Sequence, residues 1–184
     1  MVRLSWTSKP TIEKDRLLFP KSGRVSEVTN KYLNELVSRN RVFGIDCIIT
    51  GNSGEHAAKM DLIERMPLAS GYAIEPYEFI YLLEEFGGVE KGKKKIKGKA
   101  EIIQIETRDP HFHEKGDEEH IKKMRECSLA TIYYSHLCEE DLKKEIEKLL
   151  NKKPEKPSIY PPIEKVNINK FKREIDTTIE KIGN

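Results

Sequence analysis

The sequence predicts an α/β fold, because short segments with the two-residue period of a strand alternate with longer segments that have the spacing of an amphipathic helix. The chain has 184 residues, 37% of them hydrophobic and 35% charged, which is typical of one soluble globular domain. A strand is predicted almost at the first residue, since Val2, Leu4 and Trp6 alternate with polar side chains. Such a strand is either an edge strand or has lost the elements that flanked it.

The next predicted elements are two helices with a buried strand between them. An apolar stripe predicts the first helix over residues 25–39, and the apolar, β-branched run 45–51 predicts the strand. Asn52, with Glu55 three residues later, has the spacing of a capping box, so a second helix is predicted from there to Pro67. Its inner face would carry Ala57, Met60, Ile63 and Met66.

A third helix and a further strand follow. Pro76 fits the first turn of this helix, and Gly87 supplies its end. Residues 91–99 contain six lysines and are predicted to form a solvated loop or hairpin tip. The segment 101–107 then has the composition of a strand.

The last part of the chain is predicted to be helical. Residues 116–150 have helical spacing with a break near Cys138. We therefore expect one domain over residues 1–153, followed at 154–184 by a proline-rich linker and a C-terminal amphipathic helix. The inner face of that last helix would carry Phe171, Ile175, Ile179 and Ile182.

Composition and charge exclude several classes of protein. A formal net charge of +2 gives no global field toward nucleic acid, and the lysine run lacks the interleaved aromatic residues of nucleic-acid sites. No stretch approaches the roughly 20 apolar residues of a membrane span, and the chain does not open with an apolar leader segment. A cytoplasmic protein without nucleic-acid or membrane partners is expected. Three cysteines without CxxC spacing, Cys47, Cys127 and Cys138, predict reduced, buried thiols.

The first candidate site is the start of the first helix, where Gly23, Arg24 and Ser26 lie close together. Free backbone amides at a helix N-terminus, a glycine that allows close approach and a guanidinium that pairs bidentately together suit a phosphate or a carboxylate. An ordinary helix start with an exposed arginine has the same pattern, so both interpretations stay open at this point.

Two further candidates lie at turns that lead into helices. Asn52 belongs to the glycine-containing run 50–56 after the predicted buried strand, a place where ligands bind in open α/β sheets. The alternative is a capping box that merely begins a helix. Glu75 comes just before the proline-started helix, where a carboxylate is stabilised by the helix dipole. The Glu75 carboxylate could orient a hydroxyl or act as a base. Alternatively, it has only a structural role in the first turn of the helix.

The last candidate is a pair of histidines, His111 and His113, immediately after a predicted strand. Two imidazoles with acidic neighbours form a pattern that metal sites use. The cysteines do not complete a structural zinc site, so any metal would need ligands from elsewhere. A metal-binding accessory protein built around these two histidines remains an alternative.

Taken together, these segments resemble the mannosyl-3-phosphoglycerate synthases. Members of that family are GT-A glycosyltransferases that move mannose from GDP-mannose to 3-phosphoglycerate with retention of configuration. The resemblance extends over the segments MVRL (1–4), GRVSE (23–27), TGNSGEHA (50–57), GYAIEPYE (71–78), PHFHE (110–114) and SLATIY (128–133).

The resemblance assigns roles to the candidate residues. It implies that Gly23, Arg24 and Ser26 bind the phosphoglycerate acceptor, that Asn52 lines the same pocket, and that Glu75 positions the attacking hydroxyl. It also implies that one histidine holds a divalent metal ion, Mg²⁺ by preference, on the nucleotide diphosphate. Spacing relative to related enzymes favours His113 for this role, and His111 is the alternative.

One departure from the family pattern concerns the donor side. The family's N-terminal half ends in an Asp-x-Asp metal motif, and this sequence has no Asp-x-Asp. We therefore expect the chain to correspond to the C-terminal portion of a GT-A fold with a helical C-terminal extension. It would need a separate N-terminal half, or self-association, for transferase activity. The alternative is a non-catalytic acceptor-side module that binds 3-phosphoglycerate or a similar acidic metabolite.

Overall fold

The protein alternates strands and helices, which confirms the α/β class. A computed structural model describes residues 1–7, 11–18, 24–40, 48–86, 102–110 and 117–166. The strands are β1 (Val2–Thr7), β2 (Thr11–Glu13), β3 (Arg16–Leu18), β4 (His56–Ala57), β5 (Leu68–Ala69), β6 (Ile103–Pro110) and β7 (Ile159–Tyr160). The helices are α1 (Arg24–Asn40), α2 (Met60–Arg65), α3 (Ile74–Phe86), α4 (Glu118–Tyr134) and α5 (Glu140–Leu150), with 3₁₀ turns at Gly71–Ala73 and Ile163–Lys165.

The main sheet has the strand order β4-β1-β6. β1 pairs in parallel with β6, so that Val2 lies opposite Ile103 and Leu4 opposite Ile105, and it pairs antiparallel with the short β4. The predicted first strand is confirmed, but it is the middle strand of these three and not an edge strand. Two small antiparallel pairs, β2 with β3 and β5 with β7, complete the described sheets.

The hydrophobic core lies among the helices. α1 packs against α3 and α4, and α5 packs against α4. The predicted stripe of α1 supplies much of this core, and the predicted break near Cys138 is found between α4 and α5. The fully buried core side chains include Leu33, Leu36, Phe79, Leu129, Ile132, Leu142 and Ile146.

The sheet has two different faces. Arg3 lies on the face that meets α3, and its neighbours Val2 and Leu4 therefore lie on the opposite face. On that opposite face Ile103 is 47% and Ile105 is 44% exposed within the described residues. Parallel strands are usually covered on both faces, so this aliphatic surface is unusual.

The predicted strand at 45–51 is not found in its described part. Residues 48–50 are not in a strand, although Ile48 is buried. The Asn34 side chain bonds both the backbone N–H and the carbonyl of Ile48, at 2.7 and 2.9 Å. The Gln104 amide oxygen accepts from the Ile49 N–H at 2.8 Å. Side-chain amides from α1 and β6 thus bond the backbone here as a neighbouring strand would.

The prediction of a helix beginning at Asn52 is also wrong. The chain runs through an irregular stretch and β4 before α2 begins, and the Asn52 side chain bonds Ser128 on α4 instead of capping a helix. Ala57 and Met60 are exposed and Met66 is buried, so the predicted inner face is correct only in part. Pairing of β4 with β1 outweighs the local helical pattern.

The later elements match their predictions with shifted ends. The predicted strand 101–107 is found as β6, and Pro76 lies in the first turn of α3. Glu75 is inside that turn and does not precede the helix. Five predicted features fall outside the described residues: Gly23, Cys47, the lysine run 91–99, the pair His111 and His113, and the inner face of the predicted C-terminal helix. Within the described ranges, no helix is long and apolar enough to cross a membrane.

Gly51 lies against α1 at a point where a larger side chain does not fit. A Cβ atom at this position would lie 2.6 Å from Asn30 Oδ1 and 3.0 Å from Leu33 Cδ1. The same Asn30 oxygen accepts from the Gly51 N–H at 2.8 Å. Gly54 is different, because a Cβ atom there would lie at an ordinary 3.8 Å from Glu75 Oε1.

We therefore predict that Gly51→Ala lowers the free energy of unfolding by about 1–3 kcal/mol, since the added methyl group forces Asn30 away from its hydrogen bond. Gly54→Ala is the matched control and should change it by less than about 0.5 kcal/mol. Urea denaturation of both variants measures the difference. Equal destabilisation by the two substitutions would contradict the packing described for Gly51.

The two described cysteines are free thiols, as predicted, with Cys127 half-buried and Cys138 buried. Burial raises the pKa of Cys138 to about 11, against a smaller opposing effect of Lys143 and Arg39. Because the folded thiol has a higher pKa than the unfolded one, the folded state retains its proton more strongly. The contribution of the Cys138 thiol to stability is therefore complete below the ordinary pKa of 9.0, and it is lost as the pH rises toward 11.

We expect the free energy of unfolding to fall by about 2 kcal/mol more in the wild type than in Cys138→Ala between pH 9 and pH 11. Urea denaturation of both proteins under reducing conditions measures this difference. The tyrosines that titrate in the same range are common to both proteins, so they do not affect the comparison. Parallel curves for the two proteins would show that Cys138 is not responsible.

Candidate functional site

The candidate site is built around residues 50–56, called the site loop below. Most of this loop has no helix or strand, so its position depends on contacts with the elements around it. At its beginning it is bound to α1 through Asn30, as described above. At its end it is bound to β1, since the Leu4 N–H donates to the Glu55 carbonyl at 3.1 Å and the Ser53 hydroxyl donates to the Leu4 carbonyl.

Asn52 connects the site loop to α4. Its Nδ2 donates to the Ser128 hydroxyl at 2.8 Å, and Ser128 is fully buried. The Oδ1 atom of the same amide is buried and has no hydrogen-bond partner among the described residues. A buried polar atom without a partner costs free energy, so one that persists is a candidate ligand contact. Asn52 thus retains one hydrogen-bonding position for a ligand.

Arg3 connects the site loop to α3. Its guanidinium donates to Glu78 Oε2 and to the Ser53 carbonyl, each at 2.6 Å, and to the Glu75 carbonyl at 3.5 Å. It also lies over the ring of Phe79, 4.6 Å from the ring centre. Arg3 is 0% and Glu78 2% exposed, so this ion pair lies inside the protein. A single buried side chain therefore contacts the loop, the first turn of α3 and a buried carboxylate.

His56 is the third and more exposed member of this cluster. Its Nε2 lies 3.1 Å from Glu78 Oε1, so that both oxygens of the carboxylate have a partner. Burial raises the pKa of Glu78, and the nearby Arg3 and His56 oppose that rise. Burial likewise lowers the pKa of Arg3, and Glu78 opposes that change. The hydrogen-bonding capacity of Glu78 is thus used within the protein.

Glu75 is in a different situation from Glu78, although both lie on α3. It is the second residue of that helix, it is half-buried, and its carboxylate has no hydrogen-bond partner among the described residues. Its Oε1 lies next to Gly54 of the site loop. Glu75 therefore presents a carboxylate beside the same loop that carries Asn52, where it could accept a hydrogen bond from a hydroxyl.

Helix α1 contacts the site loop in its second turn, through Asn30. Arg24 is the first residue of α1, and Ser26 is half-buried in its first turn. Asn30, which bonds the site loop, lies one turn beyond Ser26 and therefore on the same side of the helix. Buried Thr29, beside Asn30, has a hydroxyl without a partner in the described part of the chain. The predicted anion-binding residue Ser26 is thus one helical turn away from the residue of α1 that bonds the site loop.

The structure does not test the predicted metal ligands. His111 and His113 lie outside the described residues. Inside the described ranges, no group of three or more His, Cys, Asp or Glu side chains is arranged to hold a metal ion. A different histidine, His120 of α4, is described. Its Nδ1 lies 3.0 Å from the hydroxyl of Tyr72, which precedes Glu75 by three residues.

Sequence reasoning identified Asn52 and Glu75 but missed the residues that hold them. Arg3 had the pattern of a polar residue alternating along a strand, which gives no sign of burial. Glu78 and Ser128 lie on helices where acidic and hydroxyl residues are common on the solvent face. The segments that carry the family resemblance contain Arg3, His56, Glu78 and Ser128, so the resemblance is the one available signal for them.

Comparison with known proteins gives a consistent result. The family model for mannosyl-3-phosphoglycerate synthase matches residues 1–175. A mannosyl-3-phosphoglycerate synthase of Pyrococcus furiosus is 43% identical over 99% of this chain, and one of Aeropyrum pernix is 37% identical over 88%. These alignments cover 49% and 44% of the two relatives, so the chain spans about half the length of the curated relatives it matches. The match over nearly all of its own residues shows that the chain belongs to the mannosyl-3-phosphoglycerate synthase family of glycosyltransferases.

Proposed function

We propose that this chain is the acceptor-side part of a mannosyl-3-phosphoglycerate synthase with a GT-A fold. In this role it takes part in the transfer of mannose from GDP-mannose to 3-phosphoglycerate with retention, a step in mannosylglycerate biosynthesis in the cytoplasm. The observation that carries the proposal is the site loop, where Asn52 keeps an unpartnered buried atom next to Gly51, whose N–H bonds Asn30 of α1. That its relatives are mannosyl-3-phosphoglycerate synthases supports mannosyl transfer to 3-phosphoglycerate as the reaction.

The chemistry of the acceptor suits this arrangement. 3-Phosphoglycerate has a phosphate and a carboxylate, which require cations or backbone amides, and one hydroxyl, which is the nucleophile. Gly23 and Arg24 at the start of α1, with the Ser26 hydroxyl, supply the anion-binding groups. Asn52 in the site loop and Glu75 beside it supply a neutral and an anionic hydrogen-bonding group. Glu75 would orient the hydroxyl by accepting its hydrogen bond.

The donor side is proposed to come from an N-terminal half of the family, or from self-association. The chain matches about half of its relatives and has no Asp-x-Asp, the motif that the family resemblance places on the donor side. The exposed Ile103 and Ile105 side chains support a partner that covers this face of the sheet. Bound Mg²⁺ would neutralise negative charge on the departing nucleotide, held by His113, or by His111, together with carboxylates from the other half.

Binding of the acceptor can be measured on the chain alone. We expect isothermal titration calorimetry to detect 3-phosphoglycerate binding and Arg24→Ala to weaken it by about tenfold or more, since a hydrogen bond to a charged group contributes about 1.5–3 kcal/mol. Asn52→Ala should also weaken binding. Arg39→Ala is the matched control, because Arg39 pairs with acidic residues at the protein surface. No binding by the wild type, or full binding by Arg24→Ala, would contradict the proposed acceptor site.

Transferase activity should require the donor half. We expect no turnover of GDP-mannose and 3-phosphoglycerate by the purified chain, and turnover when it is co-expressed with the N-terminal half of the Pyrococcus furiosus relative. Chelation should abolish that activity and Mg²⁺ should restore it. His113→Ala should remove activity and His111→Ala should retain it if His113 is the ligand.

The outcomes separate the alternatives. Turnover by the chain alone would contradict the need for a donor half. Acceptor binding with no turnover in the co-expressed complex would instead favour the non-catalytic module. A reconstituted activity that prefers another nucleotide sugar would change the donor and leave the acceptor site intact.

A further inference from the structure

Arg3 occupies a position between the two residues that the proposed function places at the acceptor. Its guanidinium contacts the carbonyl of Ser53, next to Asn52, and the carbonyl of Glu75. These carbonyls belong to segments that are far apart in sequence and meet at Arg3. The distance between the site loop and the first turn of α3 is therefore set in part by one side chain.

An arginine is suited to this task where a lysine is not. The guanidinium is planar and directs several N–H donors in fixed directions, so it can bond Glu78, Ser53 and Glu75 at once. The Glu78 carboxylate is itself fixed, because His56 contacts its second oxygen. Packing of the guanidinium on Phe79 removes its remaining freedom to rotate.

We propose that Arg3 is a positioning residue for the acceptor site. It holds Asn52 and Glu75 in the relative arrangement that binds and orients 3-phosphoglycerate. This inference rests on the proposed function. Arg3 lies behind the site loop and bonds backbone carbonyls, so it acts through the loop and does not touch the acceptor itself. Loss of Arg3 should then affect acceptor binding in protein that is still folded.

The main test is Arg3→Lys, which keeps the charge for Glu78 but cannot bond all three oxygens. Measured well below the melting temperature, the Kd for 3-phosphoglycerate should rise by about tenfold or more. In the complex with the donor half, the KM for 3-phosphoglycerate should rise and the KM for GDP-mannose should not. Arg39→Lys is the matched control and should change neither constant. An acceptor Kd and KM within about twofold of the wild type would overturn the proposal.

A second variant covers the case in which Arg3→Lys does not fold. Replacement of both members of a buried ion pair by apolar residues is often neutral for stability, so Arg3→Met with Glu78→Met should retain the fold. This double variant lacks the bonds to Ser53 and Glu75, and we expect the same loss of acceptor affinity. A folded double variant with wild-type affinity would overturn the proposal.

Hydrogen exchange gives a readout that needs no ligand. The Ser53 N–H bonds the Thr50 carbonyl at 3.0 Å and the Gly51 N–H bonds Asn30, so both amides report on the site loop. In Arg3→Lys their exchange should be about tenfold faster or more, while the Leu129 amide in α4 should exchange at the wild-type rate. If the wild type binds no 3-phosphoglycerate, the proposed function fails, and exchange alone then decides whether Arg3 holds the loop. Unchanged exchange would overturn that role.

Discussion

The buried ion pair between Arg3 and Glu78 is the interaction on which the arrangement of the site depends. It lies between the middle strand of the main sheet and α3, where an apolar contact would be expected. Removal of two charges from water is costly, and the guanidinium Nε is buried without a partner in the described part of the chain. An apolar pair could join the strand to the helix, but it could not bond the carbonyls of Ser53 and Glu75. The pair thus provides geometry that hydrophobic packing does not supply.

The sequence predicts elements well where local spacing determines them. The apolar stripe of α1 and the break between α4 and α5 agree with the structure because each reflects contacts on one face of a local segment. Prediction fails in the site loop, because the sequence from Asn52 to Glu55 has the spacing of a capping box although no helix begins there. What decides the outcome there is Ser128, which lies 76 residues away along the chain. No local pattern contains that contact.

The same reason limits prediction of the site. Positions at turns and the family resemblance identify Asn52 and Glu75, but Arg3 is the residue that bonds both the site loop and the first turn of α3. A charged residue in a strand normally faces solvent, and nothing near Arg3 in the sequence indicates that it is buried. Glu75 and Glu78 are equally acidic and three residues apart. Only the structure shows that Glu78 is bound by Arg3 and His56 while the carboxylate of Glu75 has no described partner.

The contacts that hold the site loop have a consequence for how a divided enzyme would work. Asn30, Ser128 and Arg3 all belong to this chain, so the site loop is held by contacts within the chain itself. A site that is already ordered loses less conformational entropy when its ligand binds. Docking of a donor half against the Ile103 and Ile105 face would then bring a donor to the proposed acceptor site. The contacts of the described residues therefore favour a division in which association supplies the donor chemistry, while the site loop is already held within this chain.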